Sequence, residues 1–180
     1  ALASSISSKL NYIQHNYSDA TTAINRAIAI QREILDEKGL AYSYLSFSKI
    51  LISQKERQRA MDYLNLSESH YKKSNNKYLD QYLSLLNLQR AIIFLNLDDS
   101  PDKAFQHLMK AKTDLDSLSN PYEYTRLLYY LARTELYRKN YSEATRYANI
   151  ALGIAQQKKF IGMVMSSYNI LSQIYEVQGN

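Results

Sequence analysis

The chain has 180 residues, of which 46% are apolar and 22% charged, a composition typical of a globular protein and not of a disordered one. Only four glycines and two prolines are present, too few for the many turns of a β-rich fold. The absence of cysteine excludes disulfide frameworks, cysteine-based zinc sites and thiol catalysis. The net charge of +5 arises from scattered Lys and Arg residues, which disfavours a nucleic-acid surface, and no apolar stretch approaches the roughly 18 residues of a membrane span.

A short segment near the start of the chain recurs near its end. Residues 16–21 read Asn-Tyr-Ser-Asp-Ala-Thr, and residues 140–145 read Asn-Tyr-Ser-Glu-Ala-Thr. The alanine of this segment recurs at intervals of 40, 44 and 40 residues, and each time a second small residue follows seven positions later. The four pairs are Ala20 and Ala27, Ala60 and Ser67, Ala104 and Ala111, and Ala144 and Ala151. Such self-similarity predicts stacked structural repeats of about 40 residues, with the small residues at helix contacts.

Helical periodicity accompanies these markers along the whole chain. Apolar residues upstream of each marker recur at spacings of three and four, which places them on one face of an α-helix. Nine helices are predicted, at about residues 3–14, 17–36, 41–54, 57–74, 78–97, 101–118, 121–138, 141–158 and 160–178.

Turn and cap residues mark several of these helix boundaries. Two helices are predicted to begin with a capping residue followed by proline, at Ser100-Pro101 and Asn120-Pro121. Two pairs have the spacing of a capping box, Asn120 with Glu123 and Asn140 with Glu143. Most tyrosines fall at packing positions of the helices and are assigned to the core, for example Tyr17, Tyr141, Tyr168 and Tyr175.

The pattern resembles the tetratricopeptide repeat (TPR) family. The fourth copy carries the resemblance through Leu128, Leu131, Ala132, Asn140, Tyr141, Glu143, Ala144 and Ala151, and the fifth through Tyr168, Leu171, Ser172, Tyr175, Gly179 and Asn180. The resemblance implies an all-α fold, a right-handed α-solenoid of antiparallel helix pairs with about 4.5 repeats. The repeat length of about 40 residues departs from the common 34-residue form. In this it is similar to the long-repeat variants of the family found in bacterial regulators. Glu135 and Ala148 depart from it as well, because an aromatic and a bulky residue are expected there.

The domain prediction is one superhelical domain over residues 1–180. Its repeats span about residues 1–40, 41–80, 81–120 and 121–160, with a half repeat at 161–180. Because a solenoid should not end on an unpaired helix, the chain is expected to be a piece of a longer protein. The alternatives are that the last helix is itself a cap, or that it docks on another copy.

Residue patterns for catalysis or cofactor binding are absent from the sequence. His15, His70 and His107 are far apart and share no metal-ligand spacing, and the four glycines form no phosphate-binding loop. We therefore predict no enzyme activity, no catalytic residues, no metal and no cofactor.

The resemblance implies that the first helix of each repeat lines a concave groove for a partner. The predicted groove includes Lys49, Gln89, Arg90, Arg126, Tyr129, Tyr130, Arg133 and Asn169. The same register also places Leu45, Leu86, Ile93 and Asn96 there. Its Arg and Tyr content suggests a protein or peptide segment bearing acidic residues, the alternative being a solvated face without a partner.

The expected function is a protein-interaction module in the sensory or scaffolding region of a bacterial regulator. A periplasmic position in a membrane-anchored protein is favoured over a cytoplasmic one. The alternatives are a regulator that senses a peptide pheromone and a structural assembly element that forms homo-oligomers through the terminal half repeat.

Overall fold

The computed structural model describes residues 17–75 and 77–179, and this part of the chain is all-α, with eight helices and no strand. In chain order the helices are α1 (Tyr17–Glu33), α2 (Glu37–Ser53), α3 (Arg57–Lys73), α4 (Leu79–Asn96), α5 (Pro101–Ala111), α6 (Pro121–Tyr137), α7 (Tyr141–Gln157) and α8 (Ile161–Gln178). Each corresponds to a predicted helix, so the predicted fold class is confirmed. The helix predicted at 3–14 lies outside the described residues.

The chain is divided into two compact units, Ala1–Gln89 and Arg90–Asn180, with the boundary inside α4. In the first unit α2 packs against α1 and α3. In the second unit α6 packs against α5, α7 and α8, and α7 also packs against α8. Within each unit, consecutive helices therefore pack against each other as in a helical-repeat solenoid. That residues 1–180 form one superhelical domain stays a prediction.

The second helix of each repeat contributes the same three positions to the core. Each helix has a small residue, an apolar or small residue four positions later and a second small residue seven positions after the first. All of these residues have 0% exposure. These small-residue triplets are Ala20, Ile24 and Ala27 in α1, Ala60, Leu64 and Ser67 in α3, Ala104, Leu108 and Ala111 in α5, and Ala144, Ala148 and Ala151 in α7. Their burial confirms the packing role predicted for the marker alanines.

The first helix of each repeat carries a matching stripe of four positions, which we call the first-helix stripe. Its members are Ala41, Tyr44, Ser48 and Leu51 in α2, Leu85, Leu88, Ile92 and Leu95 in α4, Thr125, Leu128, Ala132 and Glu135 in α6, and Met165, Tyr168, Ser172 and Tyr175 in α8. The stripe is buried in α2 and α6, and in α4 apart from the half-buried Leu85. In α8 all four positions are exposed, so the assignment of Tyr168 and Tyr175 to the core was wrong.

Four of the turns between helices have the same geometry. Each has three residues, and the middle one adopts a left-handed backbone conformation with φ between 55° and 61°. The next residue donates its backbone N–H to the carbonyl five positions earlier at 2.8–2.9 Å, which satisfies a carbonyl at the helix end. The middle residues are Leu35, Lys55, Lys139 and Lys159. These short turns reverse the chain and make successive helices antiparallel.

The predicted capping boxes are wrong. The N-caps Asn120 and Asn140 make no side-chain cap hydrogen bond, and Glu123 and Glu143 accept from arginines three positions further along. Helix α2 does have a side-chain cap, because Asp36 accepts from the backbone N–H of Gly39 at 2.8 Å. That cap starts α2 at residue 37, four residues before the predicted start.

Helix α5 ends seven residues earlier than the predicted 118. The hydroxyl of Thr113 donates to the carbonyl of Lys110 at 2.9 Å and competes with helical hydrogen bonding. Further on, one oxygen of Asp116 accepts the backbone N–H groups of Leu118 and Ser119 at 2.7 and 2.8 Å, which closes a turn. These two hydrogen bonds also lower the pKa of Asp116.

Glu135, which departs from the family pattern, is a buried carboxylate with 3% exposure. It accepts from Arg138 at 3.1 and 3.2 Å. Arg138 also pairs with Asp102 at 2.9 Å, and its guanidinium lies 4.2 Å from the ring centroid of Phe105. An arginine one turn further along therefore compensates the buried charge and connects α6 to α5.

Candidate partner-binding surface

A group of aromatic and cationic side chains lies on α6 in the second unit. We define the α6 cluster as Tyr129, Tyr130 and Arg133 together with Asn96 at the end of α4. The two tyrosine rings meet edge to face with centroids 5.1 Å apart. The Arg133 guanidinium lies 5.8 Å from the Tyr129 centroid and 5.7 Å from the Tyr130 centroid, and it donates to Asn96 Oδ1 at 3.2 Å. Three predicted groove residues are thus brought together, since spacings of three and four share one side of a helix.

Arg133 differs from the other arginines on α6, α7 and the turn between them because it has no carboxylate partner in the described part of the chain. The other three all pair with acids: Arg126 with Glu123 at 2.6 Å, Arg138 with Asp102 and Glu135 at 2.9 and 3.1 Å, and Arg146 with Glu143 at 2.5 Å. A guanidinium stays protonated at all physiological pH values and has five N–H donors. The partly exposed Arg133 therefore keeps an uncompensated positive charge and unused donors.

Arg126, also a predicted groove residue, is already engaged within the chain. Its side chain is only 18% exposed and pairs with Glu123. Burial alone would lower the pKa of Arg126, but the Glu123 carboxylate and nearby tyrosines raise it above its usual value. An acidic partner would have to compete with Glu123. The sequence predicts Glu123 in a capping box. Glu123 also lies three positions before Arg126, a spacing that fits an ion pair on one helix.

Tyr129 supplies a neutral hydroxyl beside the charge of Arg133. Burial raises the pKa of Tyr129, and the positive charge of Arg133 opposes this only in part. The phenol therefore stays protonated in neutral solution and can donate a hydrogen bond. A guanidinium and a phenol side by side form a donor set suited to a carboxylate.

The remaining predicted groove residues are not part of this cluster. Lys49 lies half-buried on α2, and Gln89 and the half-buried Arg90 lie on α4. Gln89 has 2% exposure, and its Nε2 has no hydrogen-bond partner among the described residues, so it belongs to the core and not to an open surface. Asn169 is exposed on α8, and its Oδ1 accepts from Gln173 at 2.6 Å on the same helix.

The register used to predict the groove fails at Leu45 in α2 and at Leu86 and Ile93 in α4, whose exposures are 3%, 0% and 0%. Those three side chains fill the core instead. The register agrees better in α6, where all of Tyr129, Tyr130 and Arg133 are partly exposed.

No protein-family model matches this chain, and no curated protein matches it. Within residues 17–75 and 77–179, no group of three His, Cys, Asp or Glu side chains is placed to hold a metal ion. None of the helices in these ranges is long and apolar enough to cross a membrane.

Proposed function

We propose that this chain is a protein-interaction module of the TPR kind and that the α6 cluster binds an acidic segment of a partner protein. The single observation that carries the proposal is the state of Arg133, which is partly exposed, lies beside two tyrosine rings and has no carboxylate partner among the described residues. An acidic side chain or chain terminus supplies the missing charge.

The cluster is arranged to make such binding favourable. Arg133 is already oriented by Asn96 and by the two rings, so less side-chain freedom is lost on binding. The rings of Tyr129 and Tyr130 can bury area at low conformational cost, and Arg with Tyr is a frequent combination at interaction hot spots. The guanidinium can donate two parallel hydrogen bonds to a carboxylate.

The biological setting we propose is the sensory or scaffolding region of a bacterial signal-transduction or transcription regulator. It is supported by the resemblance to long-repeat TPR proteins and by the helical-repeat packing within each unit. The setting rests on fold-level analogy, whereas the site rests on the chemistry of α6.

The test uses short peptides selected from a random displayed library against the whole chain. We expect the selected peptides to be rich in Asp and Glu and to bind Arg133→Gln at least about tenfold more weakly than the parent protein. Binding measured by fluorescence anisotropy should also weaken as salt rises, because the contact is electrostatic.

The matched control is Arg146→Gln, which removes an exposed arginine already paired with Glu143 on α7. It should leave peptide affinity unchanged. Arg133 is preferred to Arg126 for the test, since removing Arg126 would leave Glu123 without its partner in a poorly exposed site. Peptides that are not acidic, or that bind Arg133→Gln as tightly as the parent, would contradict the proposal.

A further inference from the structure

A second group of cationic and aromatic side chains lies between α4 and α5, within the second unit. The ring of His107 on α5 stacks on the ring of Phe94 on α4, with centroids 5.3 Å apart and an angle of 13° between the two planes. The Lys103 ammonium lies 5.7 Å from the Phe94 centroid. Arg90 and Lys110 are close enough to act electrostatically on His107. We define the α5 patch as these five residues.

The two lysines of the α5 patch carry positive charge that no acid offsets. Lys103 and Lys110 are both exposed, and neither pairs with a carboxylate in the described part of the chain. They lie on one side of α5 with His107, because the three positions are spaced by four and three. The acid in the first turn of α5, Asp102, pairs instead with Arg138 at 2.9 Å. The α5 patch is therefore a local excess of cations.

Packing of the repeat does not require cations at these positions. The three equivalent positions of α7, 40 residues later, hold an acid, an aromatic and an apolar residue, which are Glu143, Tyr147 and Ile150. The acid of α7 is paired with Arg146 on its own helix. The two helices thus share an aromatic ring at the middle position, whereas the flanking lysines are particular to α5. Their charge is available to a ligand.

We propose that the α5 patch is a second anion-binding surface, which takes an acidic segment of a partner protein together with a proton on His107. Positions 103 and 110 are about 10 Å apart along the helix axis, a span that suits an extended segment with several carboxylates better than one small anion. A nucleic-acid strand is a poorer occupant, because the Lys and Arg residues of the chain are scattered and form no continuous stripe.

The uptake of a proton follows from the charges around the His107 ring. Burial lowers the pKa of His107, and the positive charges of Lys110 on α5 and Arg90 on α4 lower it further. A carboxylate bound among these cations offsets their charge and favours the protonated ring. Binding then takes up a proton, so affinity must rise as the pH falls.

The charged groups at the end of α6 are directed elsewhere. Helix α6 also packs against α5, and the charges found at that contact belong to Glu135 and Arg138. Arg138 pairs with Glu135 at 3.1 Å and with Asp102 at 2.9 Å. This network is satisfied internally, so it leaves the cations of α4 and α5 to govern the protonation of His107.

The binding test uses a capped, fluorophore-labelled hexaglutamate peptide, titrated against the Arg133→Gln variant of the whole chain. This background removes the cation of the α6 cluster, so that binding reports on the α5 patch. We expect Lys103→Gln combined with Lys110→Gln to weaken binding at least about fivefold. The matched control is Lys158→Gln combined with Lys159→Gln, which removes the same charge from two exposed lysines between α7 and α8 and should leave binding nearly unchanged.

Nuclear magnetic resonance follows the proton in the same background. The ring signal of His107, assigned by its loss in His107→Gln, is titrated from about pH 5.5 to about pH 8, where the glutamates of the peptide stay ionised. We expect hexaglutamate to move this titration to higher pH and hexaglutamine to leave it in place. Affinity should rise at least about threefold over the range as the pH falls, and His107→Gln should abolish the rise.

Three results would overturn the inference. The first is a His107 titration that hexaglutamate does not move, and the second is equal weakening of binding by the two lysine pairs. The third is tighter binding of inorganic phosphate, or of a single-stranded DNA of equal charge, than of the peptide. Since all of these measurements are made without the Arg133 cation, this inference and the proposed function fail separately.

Discussion

Helices α6 and α8 occupy equivalent positions in successive repeats, yet their surfaces differ. Leu128 of α6 is 1% exposed, whereas Tyr168, its equivalent 40 residues later, is 53% exposed. Both helices bury another position of the pattern, Leu131 in α6 and Leu171 in α8. The largest difference lies along the first-helix stripe, which is buried in α6 and exposed in α8.

This difference shows that a helical pattern in the sequence predicts which residues share a face, but not which faces are covered. Burial of the stripe requires neighbouring helices, because a single helix pair of a solenoid cannot cover both of its faces. A residue of one type can therefore be core in one repeat and surface in another.

The largest expected effect comes from truncating equivalent stripe residues in α6 and α8. Leu128→Ala removes a fully enclosed side chain and should lower the free energy of unfolding by about 2–5 kcal/mol. Tyr168→Ala removes an exposed one and should change it by no more than about 0.5 kcal/mol. Chemical denaturation followed by circular dichroism measures the free energy of unfolding of both variants. Similar decreases in the two variants would contradict the difference in burial between α6 and α8.

The next effect concerns α7, which packs against α6. Ala144 has 0% exposure in α7, so Ala144→Phe would overpack the contact and should cost about 1–3 kcal/mol. At about 2–4 °C per kcal/mol the melting temperature should fall by several degrees. Ser119→Phe, on an exposed turn, is the control and should leave the melting temperature nearly unchanged. Equal shifts would show that the marker alanines do not define the contact.

A smaller effect tests the residue by which α6 departs from the repeat pattern. Arg138→Gln should cost about 1–2 kcal/mol, because the buried Glu135 loses its charged partner. The loss is less than for a fully buried pair, since the Arg138 side chain is 33% exposed. The double variant Glu135→Leu with Arg138→Gln should recover part of the loss in thermal unfolding. A double variant no more stable than Arg138→Gln alone would show that the pair is not coupled.

Much of the fold was predictable because the repeat markers report directly on packing. Ala20, Ala60, Ala104 and Ala144 are all fully buried, and the described helices lie close to their predicted ranges. Small residues at a fixed interval are a strong signal, since only close approach of two helices requires them at that spacing. The all-α class followed from the same periodicity.

The turns and helix ends were less predictable because they depend on local competition between hydrogen bonds. Lys55, Lys139 and Lys159 adopt left-handed conformations without glycine, so the usual sequence signal of such turns is missing. Glu123 and Glu143 could pair either with a backbone cap or with an arginine three positions later, and the arginine prevailed. Spacing alone does not decide between these partners.

The candidate site was predictable only in part. The spacing of Tyr129, Tyr130 and Arg133 places them together on α6, and the structure shows that Asn96, predicted in the groove by the same register, orients Arg133. Which arginine keeps an uncompensated charge could not be read from the sequence, because the answer depends on side-chain contacts such as that between Arg126 and Glu123.

The most direct test of the account uses two tyrosines at the same stripe position. Tyr44 of α2 is 2% exposed and its hydroxyl accepts from Arg32 at 3.0 Å, whereas Tyr168 of α8 is 53% exposed. Nitration of the native protein, with each tyrosine quantified by peptide mass spectrometry, compares their accessibility within one molecule. We expect Tyr168 to be modified readily while Tyr44 is protected until the protein unfolds. Equal modification of the two tyrosines in the folded protein would contradict the claim that the stripe is covered in one repeat and open in another.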